Sequence, residues 1–534
     1  MNEVELLDCT LRDGGYVNDW EFGHNNLVSI FERLADAGAD IIEVGFLDER
    51  RRFDINRSIM PDTDCVEKIY GGLDRKKSMI VGMIDYGTCS LAHIKPCRNC
   101  FLDGIRVIFK KHLRKEALLF CAQLKKLGYK VFAQLVSVTS YSDSEMADLI
   151  RYANEVKPHV VSMVDTYGLM HQDNLMHYFH LLNDGLDPEI GLGYHGHNNF
   201  QMGYANCIAM VSNKTSRRMV VDGSIYGMGK GAGNAPTELV MMYLNQVREK
   251  RYQVSQVLEA IDVNISQFYK ATAWGYSLFY YLAASNDCHP SYVEDLMNKR
   301  TLSVRSVNEL LGRLEGEKKL LYDKEYLEQM YIGYQAKEAN DEADIKRLRK
   351  IFRNRSILIA GPGMSMQAEQ EKIKQYLVDK KPIAISINYI PDFFAPDYLF
   401  LSNAKRYVQL ASRLSREKHT VIATSNMTCA NGSFDYTLNI SPLLDLDAQV
   451  IDHSLVMLLK AMIRLDVGKV TLVGFDGYCE DGVNYFNPDM EYGFSKKMAD
   501  YFNQYTICFL RENAQKMQVE FLTSSLYEHG MDHH

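Results

Sequence analysis

The first 230 residues repeat one unit, and this repetition constrains the fold more than any other feature. The unit is a short β-rich apolar run, a loop, an amphipathic helix, then a glycine before the next run. The opening run is Val4–Asp8; Leu27, Ile30, Phe31 and Leu34 follow at helical spacing, and Gly38 ends that helix. Further runs at 40–46, 78–84, 104–110, 129–139, 159–165, 190–197 and 219–225 complete a set of eight. Parallel neighbours need crossover helices, so the alternation predicts a parallel sheet, and eight units in about 230 residues predict a closed (β/α)8 TIM barrel. Functional groups should then collect at the C-terminal ends of the strands.

From 252 to about 338 the pattern is helical and aromatic, which reads as an appendage to the barrel. The polar stretch 336–355 ends in KRLRKIFRNR and reads as a solvated linker helix. A second α/β pattern starts at Ser356, with runs at Ile357–Ala360, 382–387, 398–401, 420–424, 470–473 and 519–522. It predicts an open, doubly wound, Rossmann-like domain. The expected boundaries are 1–250 for the barrel, 251–350 for appendage and linker, and 351–534 for the second α/β domain.

Charge and cysteine usage exclude several classes of function. Sixty basic against 68 acidic residues give a net charge of -8, which argues against a duplex nucleic-acid partner. No window holds the roughly 18 apolar residues of a membrane span, and the acidic opening MNEVELLDCTLRDGG lacks the features of a signal peptide. Eleven scattered cysteines suggest reduced thiols in a cytoplasmic protein. Cys97 and Cys100 have the spacing of half a zinc site, without a second pair to complete it.

Strand one runs into Asp8-Cys9-Thr10-Leu11-Arg12-Asp13-Gly14-Gly15, and strand seven into Gly193-Tyr194-His195-Gly196-His197-Asn198-Asn199. Residues two apart on a strand share a face, so His195 and His197 project together. With Asp13 they make a 2-His-1-carboxylate set with positions left open for substrate. The carboxylate favours Mn²⁺ or Mg²⁺; Zn²⁺ is disfavoured because no thiolate is well placed. A bland reading, two histidines hydrogen-bonded across a barrel mouth, stands beside it. After strand eight comes Gly227-Met228-Gly229-Lys230-Gly231-Ala232-Gly233-Asn234, a loop able to pass close to a ligand but lacking the ending of a nucleotide loop.

DCTLRDGG, GYHGHNN and DGSIYGMGKGAGN, in this order and spacing, resemble the DRE-TIM metallolyases over roughly the first 300 residues, and most of all their 4-hydroxy-2-oxovalerate aldolase branch. The resemblance implies that Asp13, His195 and His197 bind the metal, that Arg12 stabilises an enolate, and that Asn234 is a further asparagine beside the metal. It implies cleavage or formation of a C–C bond next to a pyruvate-type enolate, with a 2-keto acid and an aldehyde as small-molecule partners and a homo-oligomeric enzyme. Asn199 points to the aldol branch; Claisen-type condensation of an acyl-CoA remains the alternative. Two positions depart from the family. Tyr16 stands where the aldolase has its histidine base, and a phenol with a reference pKa of about 10 is a poor base. Lys110, which can either point inwards with Arg106 and Ile108 or face solvent, stands near another missing histidine. Tyr276 in WGYSLF matches the family's helical tyrosine. Glu43 and Asp165, at further strand ends, read either as groups orienting Arg12 or a metal ligand, or as core ion pairs.

In the C-terminal region, AGPGMSM, PDYLFLSN and VGFDGY are loosely similar to bacterial sialyltransferases and motility-associated glycan-transfer domains. That similarity implies a nucleotide-sugar pocket near Gly361, Gly363, Asn403 and Asp476, and with it a role for the barrel in surface-polysaccharide sugar synthesis. The other reading is a scaffold barrel whose activity lies in the C-terminal domain, against which the joint presence of Arg12, Asp13, His195 and His197 speaks.

Overall fold

A computed structural model describes residues 3–248, 250–299, 301–319, 322–414, 419–427, 434–491 and 493–532. The chain divides into two compact units, Met1–Asp287 and Cys288–His534. Of the helices in and next to the stretch 251–350, expected as appendage and linker, Val254–Ala260, Ser266–Ala271 and Leu278–Ser285 fall in the first unit, and Pro290–Asn298, Val304–Leu311, Lys324–Gln335 and Glu342–Phe352 in the second.

In the first unit β1 (Val4–Asp8), β2 (Ile41–Leu47), β4 (Met79–Asp85), β5 (Gly104–Phe109), β6 (Lys130–Leu135), β7 (Val160–Asp165), β8 (Gly191–Gly196) and β9 (Met219–Gly223) form a parallel ring closed by β1 against β2. The two-residue strand β3 (Ile59–Met60) adds to β2 outside the ring. Helices follow the apolar periodicity: His24–Ala37 buries Leu27, Ile30, Phe31 and Leu34, and Gly38, at φ +78°, ends it by donating its N–H to the Leu34 and Ala35 carbonyls.

The interior is layered, as strand alternation demands. Leu7, Ile41, Val81, Phe132, Val160 and Val220 form an apolar floor. Two residues further along the same strands stand Glu43, Met83, Gln134, Ser162 and Asp222, with Arg106 and His195 from β5 and β8, all buried. Charged side chains thus sit on an apolar plug and face the C-terminal mouth.

The second unit is built on a seven-stranded parallel sheet of β10 (Ile357–Ala360), β11 (Ile383–Ile387), β12 (Tyr398–Leu401), β13 (Thr420–Thr424), β14 (Tyr436–Leu438), β15 (Lys469–Val473) and β16 (Gln518–Phe521). Their order is β14-β13-β12-β11-β10-β15-β16. The chain starts at β10, moves outward to β14, and returns to β15 on the other side, so the order reverses beside β10. Among the described residues no helix is long and apolar enough to cross a membrane.

Candidate metal and active site

The segment after β1 turns directly into the short buried helix Thr10–Asp13. Asp8 accepts from the Thr10 N–H (2.9 Å) and the Thr237 hydroxyl (2.5 Å), and Trp20 Nε1 donates to the Arg12 carbonyl (2.8 Å). These bonds fix the backbone that presents Arg12 and Asp13 to the barrel mouth.

Among the described residues, Asp13, His195 and His197 form a group able to hold a metal ion, with one ligand atom of each within 4.8 Å of the others. All three are buried. Asp13 Oδ1 pairs with Arg12 Nη1 at 2.5 Å, while Oδ2 accepts from Asn234 Nδ2 (2.7 Å) and the Lys230 N–H (3.1 Å). Burial alone would raise the Asp13 pKa, but Arg12 and the two imidazoles hold it well below the usual carboxylate range. His197 Nδ1 lies 3.9 Å from Asp13 Oδ2 and is buried without a hydrogen-bond partner. Burial lowers the pKa of His197 to about 4, despite the pull of Asp13, so the ring is neutral and able to ligate.

Arg12 and His195 belong to one buried circuit of alternating charge. Arg12 Nε donates to Glu43 Oε2 at 2.7 Å, and Arg106 Nη1 lies 3.0 Å from the same oxygen as an ion pair. Arg106 Nη2 also pairs with Asp222, whose Oδ2 accepts from His195 Nδ1 at 2.9 Å. Because a carboxylate only accepts, His195 carries its proton on Nδ1 and leaves Nε2 for a metal. Burial would raise the Asp222 pKa, but Arg106 keeps it low and the group ionised. The circuit runs from one metal-side residue to another: His195, Asp222, Arg106, Glu43, Arg12, Asp13.

The cavity at this site, about 50 Å³, is lined by Met83, Ile108 and Val164, by Gln134 and Thr166, and by Tyr16 and Lys230 beside the charged set. Although 43 % of Tyr16 is exposed, its place in this pocket pushes the phenol pKa up to about 12 through desolvation, so it is a neutral donor. Thr166 Oγ accepts the Ser137 N–H (2.8 Å) and keeps its own proton to donate. Asn199 ties two loops together, donating to the Tyr167 carbonyl and accepting the Ala232 N–H, each at 2.9 Å.

The structure thus brings Arg12, Asp13, Tyr16, His195 and His197 into one pocket, with Glu43 and Asn234 behind them. Asp165 has a different task from orienting Arg12: its carboxylate accepts the Leu169 and Met170 N–H groups, each at 2.9 Å, and so shapes the loop after β7. Burial raises its pKa to about 6, against those N–H groups. Lys110 is not brought in, because β5 ends at Phe109 and Lys110 begins a turn, exposed to solvent. Tyr276 also stays outside the lining: Ser277 caps the next helix after it, and Tyr276 is 60 % exposed. Asp222 and Lys230 lie within the motif DGSIYGMGKGAGN, yet the motif assigns neither of them a role, nor Arg106; two residues up from the floor position Val220, strand alternation puts Asp222 beside the site.

In the second unit a cavity of about 160 Å³ lies where the strand order reverses, at the carboxyl ends of β10, β11, β12 and β15, and Gly363, Asn403 and Asp476 line it. Gly361 does not: a Cβ there would stand 2.6 Å from the Phe475 ring, so this glycine serves close packing. Asp476 accepts the Ser365 N–H at 2.8 Å and the Ser365 hydroxyl, and Asn403 caps its helix through the Arg406 N–H at 3.0 Å.

The family described as HMGL-like matches residues 3–265. Over 277 residues, 49% of this chain and 78% of the other, the sequence is 26% identical to 4-hydroxy-2-oxovalerate aldolase of Marinomonas sp. (strain MWYL1). The aldolase of that name from Stutzerimonas stutzeri is 25% identical over 265 residues, 49% of this chain and 75% of its own. Among solved structures, the N-terminal domain of a Bacteroides vulgatus protein superposes with a TM-score of 0.48 at 21% identity, covering 57% of this chain and 99% of that one.

Proposed function

Since residues 3–265 are a domain of the HMGL-like family, a family of aldolases and lyases, we propose that the barrel is a divalent-metal-dependent aldolase of 2-keto acids. It would make or break the C–C bond between a pyruvate-type enolate and an aldehyde. The observation that carries this reading is the convergence of Asp13, His195 and His197 beside Arg12 at the barrel mouth.

The residues present fit such an ion. Two ligand atoms about 2.1 Å from one cation stand roughly 3 to 4 Å apart, the separation of Asp13 Oδ2 and His197 Nδ1. The unpartnered His197 Nδ1 and Asn234 Oδ1 are buried polar atoms that a cation or its ligands would satisfy. Mn²⁺ or Mg²⁺ suits the carboxylate, and the Cys9 thiol, 3.9 Å from Asn234 Nδ2, is kept protonated because burial raises its pKa well above the ordinary value. When bound, the ion supplies Lewis-acid polarisation of the keto acid.

The protein's own groups do the rest. Arg12, its Nε and Nη1 held by Glu43 and Asp13, keeps Nη2 to donate to the oxygen that gains charge as the C–C bond breaks. The Phe46 ring, 5.8 Å from the guanidinium, helps to hold its plane. Thr166 offers a hydroxyl proton to the substrate carboxylate, and Met83, Ile108 and Val164 exclude water from the enolate. Tyr16 holds a proton at the oxygen of the aldehyde half and donates it in the direction of condensation.

Incubating the purified chain with Mn²⁺ and 4-hydroxy-2-keto acids, with pyruvate read by a coupled reductase, tests the proposal. Pyruvate should form with Mn²⁺ and vanish with chelator or in His195→Ala. Absence of pyruvate from a chain that binds Mn²⁺, with CoA release from acetyl-CoA instead, would move the assignment to Claisen-type condensation.

For the second unit we propose a nucleotide-sugar pocket at the strand-order reversal, the place where open α/β sheets hold ligands. Titration with nucleotide-sugars, read by calorimetry on the wild type and Asp476→Ala, tests it; no heat with any of them rejects it.

A further inference from the structure

The loop after β9, Gly227–Gly233, contains one charged residue, Lys230, and is fixed tightly enough to aim it. A Cβ on Gly229 would stand 2.3 Å from Asn234 Nδ2 and 2.4 Å from Asp13 Oδ2, so the backbone runs directly against the metal-side groups. The Lys230 N–H donates to Asp13 Oδ2 (3.1 Å), the Ala232 N–H to Asn199 Oδ1 (2.9 Å), and the Asn198 N–H to the Gly233 carbonyl (2.8 Å). Three bonds to two neighbouring segments, at Asp13 and at Asn198–Asn199, leave this loop little freedom.

The ammonium so placed lies 5.3 Å from the centre of the Tyr16 ring, and Lys230 lines the same pocket as the metal-side residues. The contact is a cation–π arrangement with a neutral ring, so no opposite charge is paired with the ammonium there. No carboxylate among the described residues forms an ion pair with it. The other cation lining the pocket, Arg12, is already held between Asp13 and Glu43. Lys230 is therefore a positive group without a carboxylate partner at a partly exposed rim, the arrangement that a ligand's own negative charge completes.

Substrate orientation says which end of the ligand arrives there. On the aldolase reading, the keto-acid end occupies the inner, closed part of the pocket near Asp13, His195, His197 and Arg12. The bond that breaks lies further out, and the aldehyde half extends towards Tyr16 and Lys230. We propose that Lys230 is a specificity-determining residue that binds a carboxylate or phosphate at the far end of the aldehyde half. The substrate class is then a 4-hydroxy-2-keto acid bearing a second anion, in place of one ending in a simple alkyl group. This inference rests on the aldolase reading and adds the identity of the leaving half.

The experiment compares condensation of pyruvate with glyceraldehyde 3-phosphate, succinic semialdehyde and uncharged glyceraldehyde by the Mn²⁺ enzyme. One charge-assisted hydrogen bond corresponds to a preference of about 10- to 100-fold in kcat/KM for an anionic aldehyde. In Lys230→Gln the ratio of anionic to neutral aldehyde should fall close to one, chiefly through KM, and Lys230→Arg should restore most of it. The ratio is internal to each variant, so a general loss of folding does not mimic the result. Phosphate and carboxylate arms show which anion is preferred. Equal use of charged and neutral aldehydes by the wild type, or a ratio that survives Lys230→Gln, overturns the proposal.

A binding measurement separates this from failure of the aldolase reading itself. 2-Oxoglutarate, a keto acid with a distal carboxylate, should bind the Mn²⁺ form about 10- to 100-fold more tightly than 2-oxobutyrate, read by the manganese spectrum, and Lys230→Gln should erase the difference. If no aldehyde condenses yet this difference holds, the aldolase reading fails and the anion site stands. If condensation proceeds but the difference is absent, the anion site fails alone.

Discussion

At the scale of single residues, the site is organised by what each carboxylate is given to hold. Asp13 is divided between Arg12, Asn234 and the open metal side, and Glu43 between Arg12 and Arg106. On the proposed aldolase reading, replacing Arg12 by Gln removes the donor for the developing negative charge, so kcat should fall by about 10² to 10³ with substrate binding far less affected. Steady-state kinetics with pyruvate detection checks that split; an equal fall in kcat and rise in KM contradicts it. Asp222 does not touch the ion's place, yet it sets the proton on His195 and neutralises Arg106. Asp222→Asn keeps the shape but removes the charge, and Mn²⁺ affinity should weaken by about 10- to 100-fold. Titration followed by the free-Mn²⁺ resonance gives the value directly, and an unchanged affinity would make the His195–Asp222 bond a packing feature only.

At the scale of elements, strand β2 shows how backbone geometry serves the site. Its pairing with β4 shifts register between Glu43 and Phe46, and Gly45 within that bulge has φ +144°. A Cβ on Gly45 would meet the Ser58 carbonyl oxygen at 1.9 Å, a backbone atom that cannot swing aside. Gly38 is also left-handed, but open space surrounds it. Gly38→Ala should therefore cost only about 1 kcal/mol of conformational strain. Gly45→Ala should cost about 4 kcal/mol or more and weaken metal binding through displaced Glu43. Urea unfolding of both variants checks the contrast, and similar losses would mean that β3 can move away. The same elements show what the sequence carried. The eight ring strands and the residues of three motifs were legible because alternation, helical spacing and terminal glycines are local patterns. The outcome at Lys110 was not: Arg106 and Ile108 do face inwards as alternation requires, but one residue decides whether the strand continues, and β5 stops at Phe109. Tyr276 was beyond reach for a similar reason, since the cap at Ser277 starts the helix one residue after it. The Asp222–Arg106–Glu43 circuit joins three strands far apart in sequence, and single-chain periodicity contains no term for such pairing.

At the scale of the whole molecule, each unit has its own core and its own response to pH. In the second unit His453 stands before helix Ser454–Arg464, 8 % exposed, with the rings of Phe502, Tyr505 and Tyr478 at 5.3, 6.0 and 6.3 Å. Its Nδ1 is buried without a partner, and burial lowers its pKa to about 4. An unfolded histidine binds its proton near pH 6.5, so between those values the unfolded chain holds more protons than the folded one. The neutral ring's contribution is complete above about pH 6.5 and is lost progressively as the pH falls towards 4. At 1.36 kcal/mol per pH unit, the second unit should lose about 2 kcal/mol to this group on going from pH 7.5 to pH 5. His453→Phe keeps a ring among rings and cannot titrate, so its acid loss should be smaller by that amount. Amide-exchange protection in β10 and β15, measured at both pH values, reads the second unit specifically. Parallel losses of protection in the wild type and the variant would show that the acid sensitivity of this unit arises elsewhere.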